Sequence, residues 1–95
     1  ANGVYAPVLL ALMVRHVRQL WQAKLLMTQG VRGKVLGPAM KLNPFIAEKI
    51  GRASTKFPEP LLKQAMLALI DADYLLKTGR GGAELLEHVV ISLCG

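Results

Sequence analysis

Apolar residues recur at intervals of three and four along the first third of the chain: Leu10, Val14, Val17, Trp21 and Leu25 fall on one helical face. Arg15, Arg18, Gln19 and Gln22 occupy the other side. Pro7 suits a first helical turn, where its missing N–H costs nothing, and Gly30 is a natural stop. A helix is therefore predicted from about Pro7 to Gln29. Its first two turns are apolar on nearly every side, as expected of a helix that is deeply buried or docked on a partner.

The pattern loosens between Val31 and Leu42, where Gly33, Gly37 and Pro38 intervene, and predicts a loop with one short helix around 35–41. Asn43-Pro44 then gives a start signal, Asn as cap and Pro at the first helical position. The helix that follows reaches Thr55 or Lys56, with Phe45, Ile46, Ile50 and Ala53 as the expected buried face and Lys49, Arg52 and Lys56 on a separate basic face. Phe57-Pro58-Glu59-Pro60 interrupts the chain before a helix from about Glu59 to Thr78. Two apolar stripes run along it, Leu62, Met66, Leu69 and Leu76 beside Leu61, Ala65, Ala68, Ala72 and Leu75, and Asp73 and Lys77 are spaced for a helical ion pair. After the turn Gly79-Arg80-Gly81-Gly82, a last helix from Ala83 to Cys94 carries Leu85, Leu86, Val89, Val90 and Leu93. The fold class read from this pattern is all-α, a compact bundle of about five helices with no strand, no internal repeat and no domain boundary. Residues 1–6 are expected to be a non-native remnant or disordered lead-in, and 7–95 a single helical domain cut from a longer protein.

Composition agrees with helices: 53% of the 95 residues are hydrophobic and only 5% aromatic, the apolar share being mainly Leu, Ala, Val, Ile and Met. That is more apolar surface than one small core needs, which points to a partner. The longest strictly apolar run, Val8 to Val14, is far short of the ~20 residues of a membrane span. With no signal-peptide pattern either, the expectation is a cytoplasmic protein without a membrane role. Charge is divided unevenly. Residues 1–56 hold nine basic groups and one acid, a net +8; residues 57–95 hold three basic groups and five acids, a net −2. The basic half suits phosphate or an acidic protein.

Catalytic chemistry finds little support. His16 and His88 have no partner in a recognised spacing, and with the lone Cys94 they make a poor metal set. Asp71 and Asp73 point in different directions on a helix, while Glu84 and Glu87 are explained by the dipole of the helix they begin. Gly79-Arg80-Gly81-Gly82 lacks the spacing and the Lys-Ser or Lys-Thr ending of a phosphate loop. No enzyme activity, cofactor, metal or small-molecule substrate is expected, and Cys94 is expected to be a buried structural residue. A short helix, a turn and the basic helix over residues 33–56 loosely mimic a helix-turn-helix. An independent nucleic-acid-binding domain of that type is therefore the alternative reading, with Lys49, Arg52 and Lys56 facing phosphates.

Three stretches in order carry a resemblance to a known family. They are the opening helix from Val8-Leu9-Leu10 to Leu20-Trp21-Gln22-Ala23-Lys24; Leu42-Asn43-Pro44-Phe45 with Ile46-Ala47-Glu48-Lys49-Ile50, ending at Phe57; and Leu69-Ile70-Asp71-Ala72-Asp73 continuing to Lys77-Thr78-Gly79. From about Pro7 to Cys94 the chain resembles the C-terminal domain of bacterial DNA polymerase III delta subunits. The resemblance implies a helical collar domain that packs beside the matching domains of the other clamp-loader subunits, delta prime and tau/gamma, in a five-subunit ring that loads the sliding clamp in DNA replication. It implies neither ATP hydrolysis nor clamp opening here. Leu9, Leu12, Met13, Leu20 and Trp21 are the candidate partner contacts. Family complexes route primer–template DNA into the ring, so Lys77 and Arg80, with Lys49, Arg52 and Lys56, are candidate contacts to the DNA backbone. The family can place larger groups in the turn at Gly79-Arg80-Gly81-Gly82, which here is short and glycine-rich.

Overall fold

The computed structural model describes residues 2–94, with side chains described from 6 to 93. It contains five α-helices and, among the described residues, no strand: α1 (Asn2–Thr28), α2 (Leu36–Met40), α3 (Pro44–Ser54), α4 (Glu59–Lys77) and α5 (Ala83–Cys94), with a 3-10 turn over Gly33–Val35 just before α2. The all-α class and the order of helices match the sequence pattern, as do the bounds of α5. Where a disordered lead-in was expected, residues 2–6 belong to α1; Ala1 lies outside the described residues. Pro7 consequently sits inside α1, past its first turn, where it removes one backbone hydrogen bond and its ring crowds the preceding turn.

The helix ends follow from local chemistry. Asn43 caps α3 by accepting a hydrogen bond from the Phe45 N–H at 2.8 Å, with Pro44 at the first helical position. Three helices close with a residue in the left-handed region and two backbone bonds folded back onto the last turn. At the end of α1, Gly30 has φ 89°, Val31 N–H donates to the Leu26 carbonyl at 3.0 Å and Gly30 N–H to Met27 at 3.1 Å. At α4, Gly79 has φ 71°, Arg80 N–H reaches Leu75 at 2.8 Å and Gly79 N–H reaches Leu76 at 3.4 Å. At α2 the left-handed residue is Lys41, φ 57°, and Leu42 N–H meets Gly37 at 2.9 Å.

The chain divides into two units, Ala1–His16 with Lys63–Gly95, and Val17–Leu62. The division falls inside α1 and α4 and not in a linker, which is why composition marks no boundary. In the first unit the core is built from Ala6, Leu10 and Met13 of α1, Ala65, Leu69 and Ala72 of α4, and Leu86, Val89 and Leu93 of α5. In the second it comprises Val17, Leu20 and Ala23 of α1, Leu36 and Met40 of α2, Ala47 of α3 and Leu62. Leu26, Met27, Val31, Leu42 and Ile50 pack against Ala23, Leu36, Met40 and Ala47.

The buried faces differ from the expected ones in three helices. In α1 the stripe is Ala6, Leu10, Met13, Val17, Leu20 and Ala23, so Val14 and Trp21 are half-buried and Leu25 exposed. In α4 the stripe, Leu62, Ala65, Leu69 and Ala72, takes members from both predicted stripes. In α3 the correction is larger. Phe45 is 83% exposed and Ile46 52% exposed, and the inward face is Ala47, Gly51 and Ser54. These small residues bring α3 close to its neighbours: a Cβ on Gly51 would stand 2.9 Å from Leu36 Cδ2 and 3.3 Å from Met27 Sδ. The Ser54 hydroxyl, fully buried, donates to the Gly51 carbonyl at 2.7 Å, so its burial leaves no unpaired donor.

Candidate functional site

Two surfaces stand out, one in each unit. In the unit formed by residues 1–16 and 63–95, α1 and α4 line an apolar groove of about 410 Å³. Pro7, Ala11 and Val14 follow one another at helical spacing on the α1 side, and Met66, Leu69 and Ile70 form the α4 side. Asp73 is its sole ionisable lining residue, and its carboxylate is paired with Lys77 at 2.9 Å across a helical turn. Ile70 continues out of the groove into an exposed apolar stripe, Leu67, Ile70 and Tyr74, spaced three and four apart along α4. On α1, Val8, Leu9 and Leu12 are exposed as well. Large apolar groups left in water at helical spacing on two elements are the usual mark of a surface made for another protein.

In the unit formed by Val17–Leu62, the surface is basic. Lys49, Arg52 and Lys56 are all exposed, at spacings of three and four along α3 and the turn after it. Glu48 meets Arg52 at 3.9 Å, a long contact between exposed side chains that neutralises little. Beside them is a cleft of about 370 Å³ whose lining includes Arg32, Arg52, Met27, Leu36 and Gly51. Among the described residues no three His, Cys, Asp or Glu side chains come together as a metal site, and no helix is long and apolar enough to cross a membrane.

Set against known families, residues 3–93 match the profile described as DNA polymerase III delta subunit, C-terminal domain. The chain belongs to that family. Comparison with curated proteins and with solved structures gave no match. The delta family is part of the DNA polymerase III clamp loader and its C-terminal domain is non-catalytic, so it is the surfaces of this delta-family chain, more than any reaction centre, that need explaining.

The residues singled out as partner contacts separate cleanly by burial. Leu9 and Leu12 are exposed, Leu12 to 56%, on a flank of α1 other than the one that lines the groove. Met13 and Leu20, at 5% and 0% exposure, are instead core residues of this chain, turned inward on the stripe that holds Leu10 and Val17. Trp21 is half-buried. Of the five candidate DNA contacts, Lys49, Arg52 and Lys56 lie in the second unit, whereas Lys77 and Arg80 lie in the first, with Lys77 held by Asp73. The helix-turn-helix-like pair reduces to a single turn, α2, followed by α3, whose exposed first turn presents Phe45 and Ile46. His16 is half-buried and His88 exposed; the side chain of Cys94 lies outside the described ones.

Sequence reasoning missed Leu67, Ile70 and Tyr74, because a run such as Leu67-Ala68-Leu69-Ile70 supplies apolar residues to every side of the helix. The available signal was their excess: α4 has more large apolar positions than one buried stripe can use.

Proposed function

We propose that the chain is the collar domain through which a delta subunit assembles with its neighbours in the clamp loader, supporting the loading of the sliding clamp during replication. Its partners in this reading are the corresponding domains of the delta prime and tau/gamma subunits, and the compartment is the cytoplasm. The observation that carries the proposal is the apolar groove of α1 and α4 continued by exposed Leu67, Ile70 and Tyr74, with Leu9 and Leu12 exposed on α1. Membership of the delta family supplies the identity of the complex. Burying such surface contributes about 25 cal/mol per Å², from which the entropy of association is subtracted.

The test is co-elution with the other clamp-loader subunits in size-exclusion chromatography with light scattering. Leu12→Glu and Ile70→Glu replace exposed side chains, so both variants should keep the circular dichroism and Tm of the parent while losing the complex. Lys49→Glu, in the other unit, should retain it. Undiminished co-elution of both glutamate variants overturns the assignment of these apolar surfaces. A salt-sensitive shift on primer–template DNA, with no subunit complex at all, would favour the nucleic-acid-binding alternative.

A further inference from the structure

The cleft in Val17–Leu62 has a construction unlike the groove of α1 and α4. Its accessible apolar lining is the half-buried Met27 at the end of α1, behind which Leu36 and Gly51 are buried against each other. Two guanidinium groups stand at its polar side. Arg52 is exposed and has only the 3.9 Å contact to Glu48; Arg32, also exposed, takes part in no ion pair among the described residues. The Thr55 hydroxyl, a further lining group, already donates its proton to the Arg52 carbonyl at 2.7 Å, so it can only accept. Side-chain donors for an incoming anion are therefore the two arginines.

We propose that this cleft binds an acidic peptide segment, taking one apolar side chain against Met27 and an adjacent carboxylate between Arg32 and Arg52. The chemistry on each side of the cleft selects that ligand. A guanidinium fork matches a carboxylate with two parallel hydrogen bonds. The lining has two positive groups and one negative, Glu48, which suits a single carboxylate better than the dense charge of a polyphosphate. No aromatic ring lines the cleft, so it offers a base nothing to stack on, whereas the Met27 thioether accepts an aliphatic side chain. The surrounding unit carries eight basic groups and two acidic ones, a net +6 that steers a negative segment toward it. The incoming carboxylate would compete with Glu48 for Arg52, and the long Glu48–Arg52 contact makes that exchange easy.

A fluorescein-labelled decapeptide of glutamates interrupted by two leucines, followed by fluorescence anisotropy and by 15N amide shifts of the chain, tests the proposal. Binding should shift the amides of Gly33, Gly51 and Arg52, and Arg32→Glu should weaken it at least tenfold with the circular dichroism unchanged. Lys63→Glu, which makes the same change in net charge outside this unit, should have less than a threefold effect. Equal losses for the two variants would overturn the site in favour of unspecific attraction. So would equal binding by an all-glutamate peptide, which has nothing for the apolar lining. Tighter binding of a single-stranded oligonucleotide with shifts at the same amides would replace the peptide by nucleic acid.

Discussion

The two units of this chain keep themselves folded and face their surroundings by different means. Val17–Leu62 concentrates charge, eight basic groups against two acidic ones, while Ala1–His16 with Lys63–Gly95 carries four of each. The basic unit inserts the small face of α3, Ala47, Gly51 and Ser54, among Leu36, Met27 and their neighbours, and its larger apolar residues Phe45 and Ile46 are left outside. The neutral unit buries Leu69, Leu86, Val89 and Leu93 and still has Leu67, Ile70 and Tyr74 exposed. Surplus apolar surface in the neutral unit suits a protein neighbour; positive charge in the other suits an acidic one. The difference teaches that a net charge of +6 for the whole chain belongs to one unit alone, and that its attraction for anions should map there.

The sharpest test of how the basic unit is packed compares two residues in it. Leu36→Ala empties a fully buried position beside Ala23, Met40 and Ala47 and should lower stability by about 2–5 kcal/mol in urea denaturation. Phe45→Ala, a larger truncation, should change it by less than about 0.5 kcal/mol because the ring is in water. A large loss at Phe45 would restore the buried face that periodicity assigned to it. The next effect concerns Lys41, whose left-handed backbone at the end of α2 is unfavourable for a residue with a Cβ. Lys41→Gly should raise stability by about 1 kcal/mol, with a higher midpoint and an unchanged slope in urea. Smallest are the ion pairs. Lys77→Ala, removing the 2.9 Å contact to Asp73 in the neutral unit, should cost about 0.3–0.5 kcal/mol at low salt and less at high salt. Loss of the 3.9 Å Glu48–Arg52 contact should cost less than that, a ranking that Tm values of Lys77→Ala and Arg52→Ala would check.

Helix ends were legible in the sequence because they depend on short-range chemistry. Asn43-Pro44, Gly30 and Gly79 act through their own backbone angles and the nearest turn, and each was read correctly. Lys41 was not legible as a left-handed terminator, since a lysine has no intrinsic preference for that region. Helix faces were harder. In α1, Met13 and Leu20 are as apolar as Leu9 and Leu12, so periodicity supports both stripes and tertiary packing chooses one. In α3 the hydrophobicity of Phe45 and Ile46 outweighed that of Ala47 and Gly51, yet close approach of α3 to Leu36 requires the smaller residues. Of the candidate site, the basic residues of α3 could be read directly. The cleft could not, because Arg32 and Arg52 are twenty positions apart in the sequence and meet its lining only through the fold.

The folded-back bonds at the ends of α1, α2 and α4 bear on the timing of amide exchange with solvent. The last residues of a helix normally exchange fast, since fraying there opens without disturbing the rest. Here Val31, Leu42 and Arg80 lie beyond the helical residues, yet their N–H groups are tied to Leu26, Gly37 and Leu75 at 3.0, 2.9 and 2.8 Å. Val31 and Leu42 also pack on the Ala23–Leu36–Met40–Ala47 cluster, whereas Arg80 is exposed. In deuterium oxide the three amides should therefore separate, Arg80 taking up the label first and the two apolar positions retaining their protons until the surrounding core opens.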